Sequence, residues 1–174
     1  MPERDAQDEV GDDAMCIAGY DDEGAVVSLA VTALAAPKSP PLWFAELNEP
    51  EGSPPAVSLV AFSGHGVDAE RLLDRAALRE VSVVSADQLG AARWYPATGE
   101  VDQIYVAPTW RRRSIGSALA IAVGTLSLAR GWPRIWGDGQ RTAMGDRLRN
   151  ASPLADWAAD LTHLAPPMTP FDER

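Results

Sequence analysis

The sequence predicts an α/β domain of the α+β kind, with a mixed, mostly antiparallel central sheet flanked by helices. Short apolar, β-rich runs recur through the first hundred residues, divided by loop-forming breaks. A tight turn at Pro96-Ala97-Thr98-Gly99 joins two of these runs. A single long stretch, 115–130, instead repeats its apolar residues at helical spacing.

The elements follow in order. Residues 1–13 are acidic and without period, which predicts a flexible tail ahead of one domain over 14–174. Strands are expected at 14–20, 25–35, 42–47 and 56–63, separated by Asp21 to Gly24, Pro37 to Pro41 and Glu49 to Pro55. The run at 25–35 reads equally as a buried helix. Residues 68–79 predict a helix with Asp68 as cap and Leu72, Leu73, Ala76 and Ala77 on one face. Strands at 81–85, 88–95 and 100–107 follow, the last two forming a hairpin. Pro108 ends the last strand, because proline cannot donate to a ladder. After the basic loop 109–114, the helix 115–130 carries Ile115, Leu119, Ala122, Val123 and Leu126, and Gly131 suits its stop. A short strand at 134–137, helices at 140–150 and 153–162, and an irregular Pro-rich end at 165–170 complete the chain.

Charge is unevenly spread. The net charge is −10, with 46% hydrophobic and 23% charged residues, a composition that excludes a wholly disordered chain. Residues 1–24 carry nine acids against Arg4, whereas 111–149 carry eight arginines against Asp138 and Asp146. An anionic ligand is drawn to that second segment, while the overall acidity disfavours nucleic acid. No apolar run approaches the roughly 18 residues that span a bilayer, and the acidic start is unlike a secretory signal. The lone Cys16 cannot form an internal disulfide, and the expectation is a cytoplasmic protein without a membrane partner. A homodimer is compatible with the sequence.

The stretch from Val101 to Leu119 reads strand, basic loop, small-residue helix start. A helix's first turn has amides without internal partners and partial positive charge. Gly116, Ser117 and Ala118 are small enough for a phosphate to approach the backbone, and Arg111, Arg112 and Arg113 add bidentate donors. These residues fit a diphosphate site. They also fit an exposed basic turn that leads into a core helix.

Arg113-Ser114-Ile115-Gly116-Ser117-Ala118 resembles the [QR]-x-x-G-x-[GA] signature of the GNAT superfamily of acetyl-coenzyme A-dependent N-acetyltransferases. The preceding Ile104-Tyr105-Val106-Ala107-Pro108-Thr109-Trp110-Arg111 is similar to the approach that family uses. The resemblance covers roughly 81–150. It implies a GNAT-like fold, acetyl-CoA as cosubstrate, and transfer of the acetyl group to a primary amine of a small molecule or peptide. The amides of 113–118 would hold the coenzyme pyrophosphate. The end of the 100–107 strand would splay from its neighbour and pair with the pantetheine arm, and the Val106 amide would polarise the thioester carbonyl. Asp102, eleven residues before Arg113, stands where some members keep a glutamate base, and Glu100 is a weaker substitute. Strict alternation would put Asp102, Ile104 and Val106 on one face.

Two features depart from the family. No tyrosine occurs in 137–150 to protonate a leaving thiolate, and residues 14–63 read as strands where the family usually places helices. These departures keep a second class open, a non-catalytic acyl-CoA-binding or interaction module. Acylation of charged tRNA, as in toxin members, is disfavoured by the acidity outside 111–149. Elsewhere Ser63-Gly64-His65-Gly66 reads as a glycine-rich loop, since the G-x-S-x-G elbow is absent. His65 and His163 lack partners at ligand spacing, so no metal is expected. Gly137 to Gln140 reads as a turn, Tyr105 as core or ligand-lining, and Trp110 as core or as a cover for the coenzyme.

Overall fold

The computed structural model describes residues 14–137 and the short strands 140–142 and 163–165. The expected tail 1–13, the body of the helix 140–150, the helix 153–162 and the end 166–170 lie outside the described residues.

The predicted mixed sheet is present. Strands β1 (Cys16–Tyr20) and β2 (Val26–Val31) form an antiparallel hairpin. Strands β3 (Trp43–Glu49), β4 (Ala56–Phe62), β5 (Leu72–Leu73), β6 (Gly90–Trp94) and β7 (Val101–Val106) form a sheet of order β5-β3-β4-β6-β7. All its pairings are antiparallel except β3 with β5. The run at 25–35 is therefore a strand, closed after Val31 by a turn in which the Thr32 carbonyl accepts from Ala35 and Ala36. The hairpin joins the larger sheet through a Ser28–Arg71 bridge and a 2.7 Å bond from the Leu29 amide to the Glu70 carbonyl.

Helix α1 is shorter than expected, spanning Arg75–Arg79, and its cap is Asp74 rather than Asp68. The Asp74 carboxylate accepts from the Ala77 amide at 2.8 Å. Leu72 and Leu73 do not share a helical face. As β5 they point to opposite sides of the sheet and enter two different cores. Glu70, at φ +75°, is in the left-handed region and cannot continue a helix. The strand expected at 81–85 is also absent. Val81 and Val83 pack on a core without a ladder, and a 3-10 turn spans Ser85–Asp87. At 134–137 isolated bridging replaces the expected strand, Trp136 pairing with Glu100. Gln140–Thr142 is strand β8, parallel to β9 (His163–Ala165), where a helix was expected to begin; long-range pairing overrides local propensity there.

Helix α2 (Ile115–Ala129) matches its expected bounds, but its burial is not one-sided. Eleven of its fifteen residues are buried, so it is a central helix rather than an amphipathic surface one. The β1–β2 hairpin packs on it, as do β4, β6 and β7. One face of the sheet supplies Phe44, Leu59, Ala61, Ala92 and Trp94 to this core. The other supplies Trp43, Ala45, Val60 and Phe62 to a smaller core with Leu78 of α1, where Trp43 stacks on Phe62 at 4.6 Å.

Candidate functional site

β7 ends where α2 begins, and the turn between them draws the motif together. Gly90 of β6 pairs with Val106, and the start of α2 lies against it. A Cβ on Gly90 would come within 2.5 Å of the Tyr105 carbonyl and 3.2 Å of Ile115, so only glycine allows this approach.

Arg111 is half-buried, and its Nε donates to the Val106 carbonyl at 3.3 Å. The Ala107 amide donates to Leu89 at 2.9 Å. In an antiparallel ladder both backbone groups of a residue face one side, so those of Val106 face away from β6. Among the described residues that outer edge of β7 is paired only at its start. There the Val101 amide donates to Trp136 at 2.8 Å and the Trp136 amide to Gly99 at 3.0 Å. From Asp102 to Val106 the edge is open in that sense.

Arg112 and Ser114 both adopt φ +61°, a conformation that costs a non-glycine residue about 1–3 kcal/mol. Ser114 is the N-cap of α2, yet its own side chain makes no capping bond to the helix. Its Oγ instead accepts from the Lys38 amide at 3.3 Å, which ties the 36–39 loop to the motif. Arg112 and Arg113 are exposed, and the Arg113 guanidinium lies 5.1 Å from the Trp110 ring. The structure narrows the expected amide set. Ala118 is fully buried and its amide already donates to the Ser114 carbonyl at 2.9 Å, the first bond of the helix. Ile115 and Gly116 are buried and Ser117 is half-buried, so the first-turn donors are those of 115–117.

Asp102 departs from the expected alternation. Gln103 pairs with Arg93 and Val101 with Trp94, leaving Asp102 as the extra residue of a bulge. Val101, Ile104 and Val106 pack on the α2 side, whereas the Asp102 carboxylate lies on the other face, with Arg93. Arg93 Nη1 donates to Asp102 at 2.7 Å, Nη2 donates to Glu49 at 2.8 Å, and Nη1 also meets the Tyr95 hydroxyl at 3.3 Å. The hydrogen bond from Arg93 holds the Glu49 carboxyl below the usual carboxylate range. Hydrogen bonds that Arg93 donates to Glu49 and then to Asp102 raise it above its ordinary value. Tyr105 shares that face, since it pairs with Ala91 of the smaller core.

Sequence reasoning missed Arg93 and Lys38. The hairpin turn sets Arg93 near Gln103, but the bulge that delivers Asp102 to it has no signature in the residues. Lys38 reaches Ser114 across 76 positions, which no local pattern encodes. Elsewhere, His65 lies 3.9 Å from Asp87 and the Ser63 hydroxyl donates to the Pro41 carbonyl, so these two residues serve their own loops. No helix among the described residues is long and apolar enough to cross a membrane. Comparison with protein-family models, characterised proteins and solved structures finds no match to this chain.

Proposed function

We propose that the protein is an N-acetyltransferase that moves the acetyl group of acetyl-CoA to a primary amine. The observation that carries this reading is the junction of β7 and α2. A helix start that its own N-cap side chain leaves uncapped, flanked by three arginines and two left-handed residues, adjoins a strand edge whose last residue presents its amide outward. The donors at 115–117 suit a pyrophosphate, and Arg112 and Arg113 add charge to them. The Val106 amide suits an oxyanion. In the reaction, the neutral amine nitrogen bonds to the thioester carbonyl carbon and the carbon–sulfur bond breaks. The amine's surplus proton leaves towards Asp102 through water, and the thiolate takes a proton from solvent.

The test has two stages. Acetyl-CoA at 100 times its Kd raises stability by roughly 2.7 kcal/mol in a thermal-shift titration. Free thiol then appears when amines are supplied. Asp102→Ala lowers kcat on the order of a hundredfold with little change in coenzyme binding. Turnover unaltered by that substitution at every pH removes Asp102 from the mechanism, and absence of coenzyme binding removes the proposal.

The ion pair between Arg93 and Asp102 favours a second reading, a binding module without transfer, because it holds the carboxylate on the face of β7 opposite Val106 and α2. Coenzyme binding without thiol release across an amine panel selects that reading.

A further inference from the structure

A cavity of about 260 Å³ lies on the far side of the sheet's width from β7. Leu29 and Phe44 back it without exposing surface of their own, and Val31, Pro37, Pro40 and Pro41 present its accessible apolar wall. Its single ionisable lining group is Glu70. The Glu70 backbone is fully engaged, its amide donating to Leu42 at 2.6 Å and its carbonyl accepting from Leu29 at 2.7 Å. Its carboxylate is exposed and has no hydrogen-bond or ion-pair partner among the described residues. Glycine would take the left-handed φ of +75° more readily than glutamate does. The side chain therefore occupies a position where the backbone alone disfavours it, and strain of this kind concentrates at ligand sites.

We infer that this cavity binds a small organic ammonium ion, its apolar body against Val31, Pro40 and Pro41 and its charged head at Glu70. Apolar walls with one polar anchor are the usual make-up of a ligand pocket. The volume is just under the roughly 300 Å³ at which ordinary ligand pockets begin, so the ligand is small. Pro37, Pro40 and Pro41 offer no amide donors, and the Ser39 amide and hydroxyl already donate to the Ala36 and Pro40 carbonyls, so this wall favours a cation over an anion. The site is distinct from the β7 edge. Phe44, Ala61, Gly90 and Val106 form one row across four strands, which at about 4.8 Å per strand separates Phe44 from Val106 by roughly 14 Å. The inference does not depend on acyl transfer.

Backbone amide NMR of the full chain, without any coenzyme, tests it with three probes of one shape: phenethylammonium, 3-phenylpropanol and 3-phenylpropionate. Phenethylammonium shifts the amides of Leu29, Leu42, Phe44 and Glu70 at millimolar concentration, the alcohol shifts them more weakly, and the carboxylate least. Glu70→Gln weakens ammonium binding by about three- to fivefold, to the level of the alcohol, as expected for a partly solvated ion pair. Glu70→Gly, which relieves the backbone, keeps the fold and loses the same preference. Equal binding of the three probes, shifts at other residues, no shifts at all, or a preference that survives both substitutions overturns the inference. Since no thioester is present, failure here leaves the acetyl-transfer proposal untouched, and failure of that proposal leaves this result standing.

Discussion

Two side chains report on their surroundings through pH. Burial pushes the Cys16 thiol from an ordinary value near 9 up to about 11, against a smaller opposing hydrogen bond from Thr125. The folded chain thus keeps a proton that the unfolded chain releases. Stability from this group is present below about pH 9 and is lost as pH climbs towards 11. Cys16→Ala flattens that alkaline decline in urea midpoints. At neutral pH the native thiol reacts with iodoacetamide on the order of a hundredfold more slowly than the unfolded chain, following its thiolate fraction. Glu49 works in the opposite direction. Its carboxyl is depressed, so its contribution is present above the unfolded value and disappears as pH falls through the folded one. Its side chain is 41% exposed, and water screening holds the effect to about 1 kcal/mol or less. The stability gap between the wild type and Glu49→Gln is open at about pH 6 and closed by about pH 2.

Elements were legible wherever local chemistry and tertiary pairing agreed. The β6–β7 hairpin follows from Pro96 to Gly99, and α2 follows from its apolar repeat and Gly131. Disagreement explains the misses. Leu72 and Leu73 satisfy helical spacing, but one leucine is needed in each core, and only a strand delivers adjacent residues to opposite sides. Val81 and Val83 have strand character, yet no neighbouring edge takes them into a ladder. The arginines and the glycine of the motif were visible as a cluster, whereas the bulge that turns Asp102 towards Arg93 arises only from pairing register. The closeness of β6, β7 and α2 rests on Gly90. Gly90→Ala forces its methyl against the Tyr105 carbonyl and Leu119, and costs about 1–3 kcal/mol in chemical denaturation. It also weakens coenzyme binding if the β7–α2 junction is the site, which calorimetry on the folded variant reads separately.

At the scale of the molecule, the sheet, hairpin and central helix are fastened at the far end of α2. Arg130, its C-cap residue, makes a two-pronged pair with Glu46 of β3, with Nη2 to Oε2 at 2.6 Å and Nη1 to Oε1 beside it. The Glu46 side chain is only 8% exposed, and the guanidinium also lies 4.9 Å from the Trp132 ring. Arg130→Met strands a buried carboxylate and costs about 3 kcal/mol. Adding Glu46→Gln recovers part of that loss in a double-mutant cycle, because the uncompensated charge is then gone. Full additivity of the two substitutions shows the pair to be uncoupled.

The enclosure of α2 has a consequence for biogenesis. A ribosome delivers residues 16–31 long before 115–129, so the ribbon that wraps the helix must wait for its own filling. Until translation reaches Ala129, Leu29, Leu59 and Ala92 lack the helix that covers them, and their oily surfaces face water or a chaperone. Folding is therefore tied to completion of the helix and proceeds slowly for a chain of this size, since its contacts close long loops.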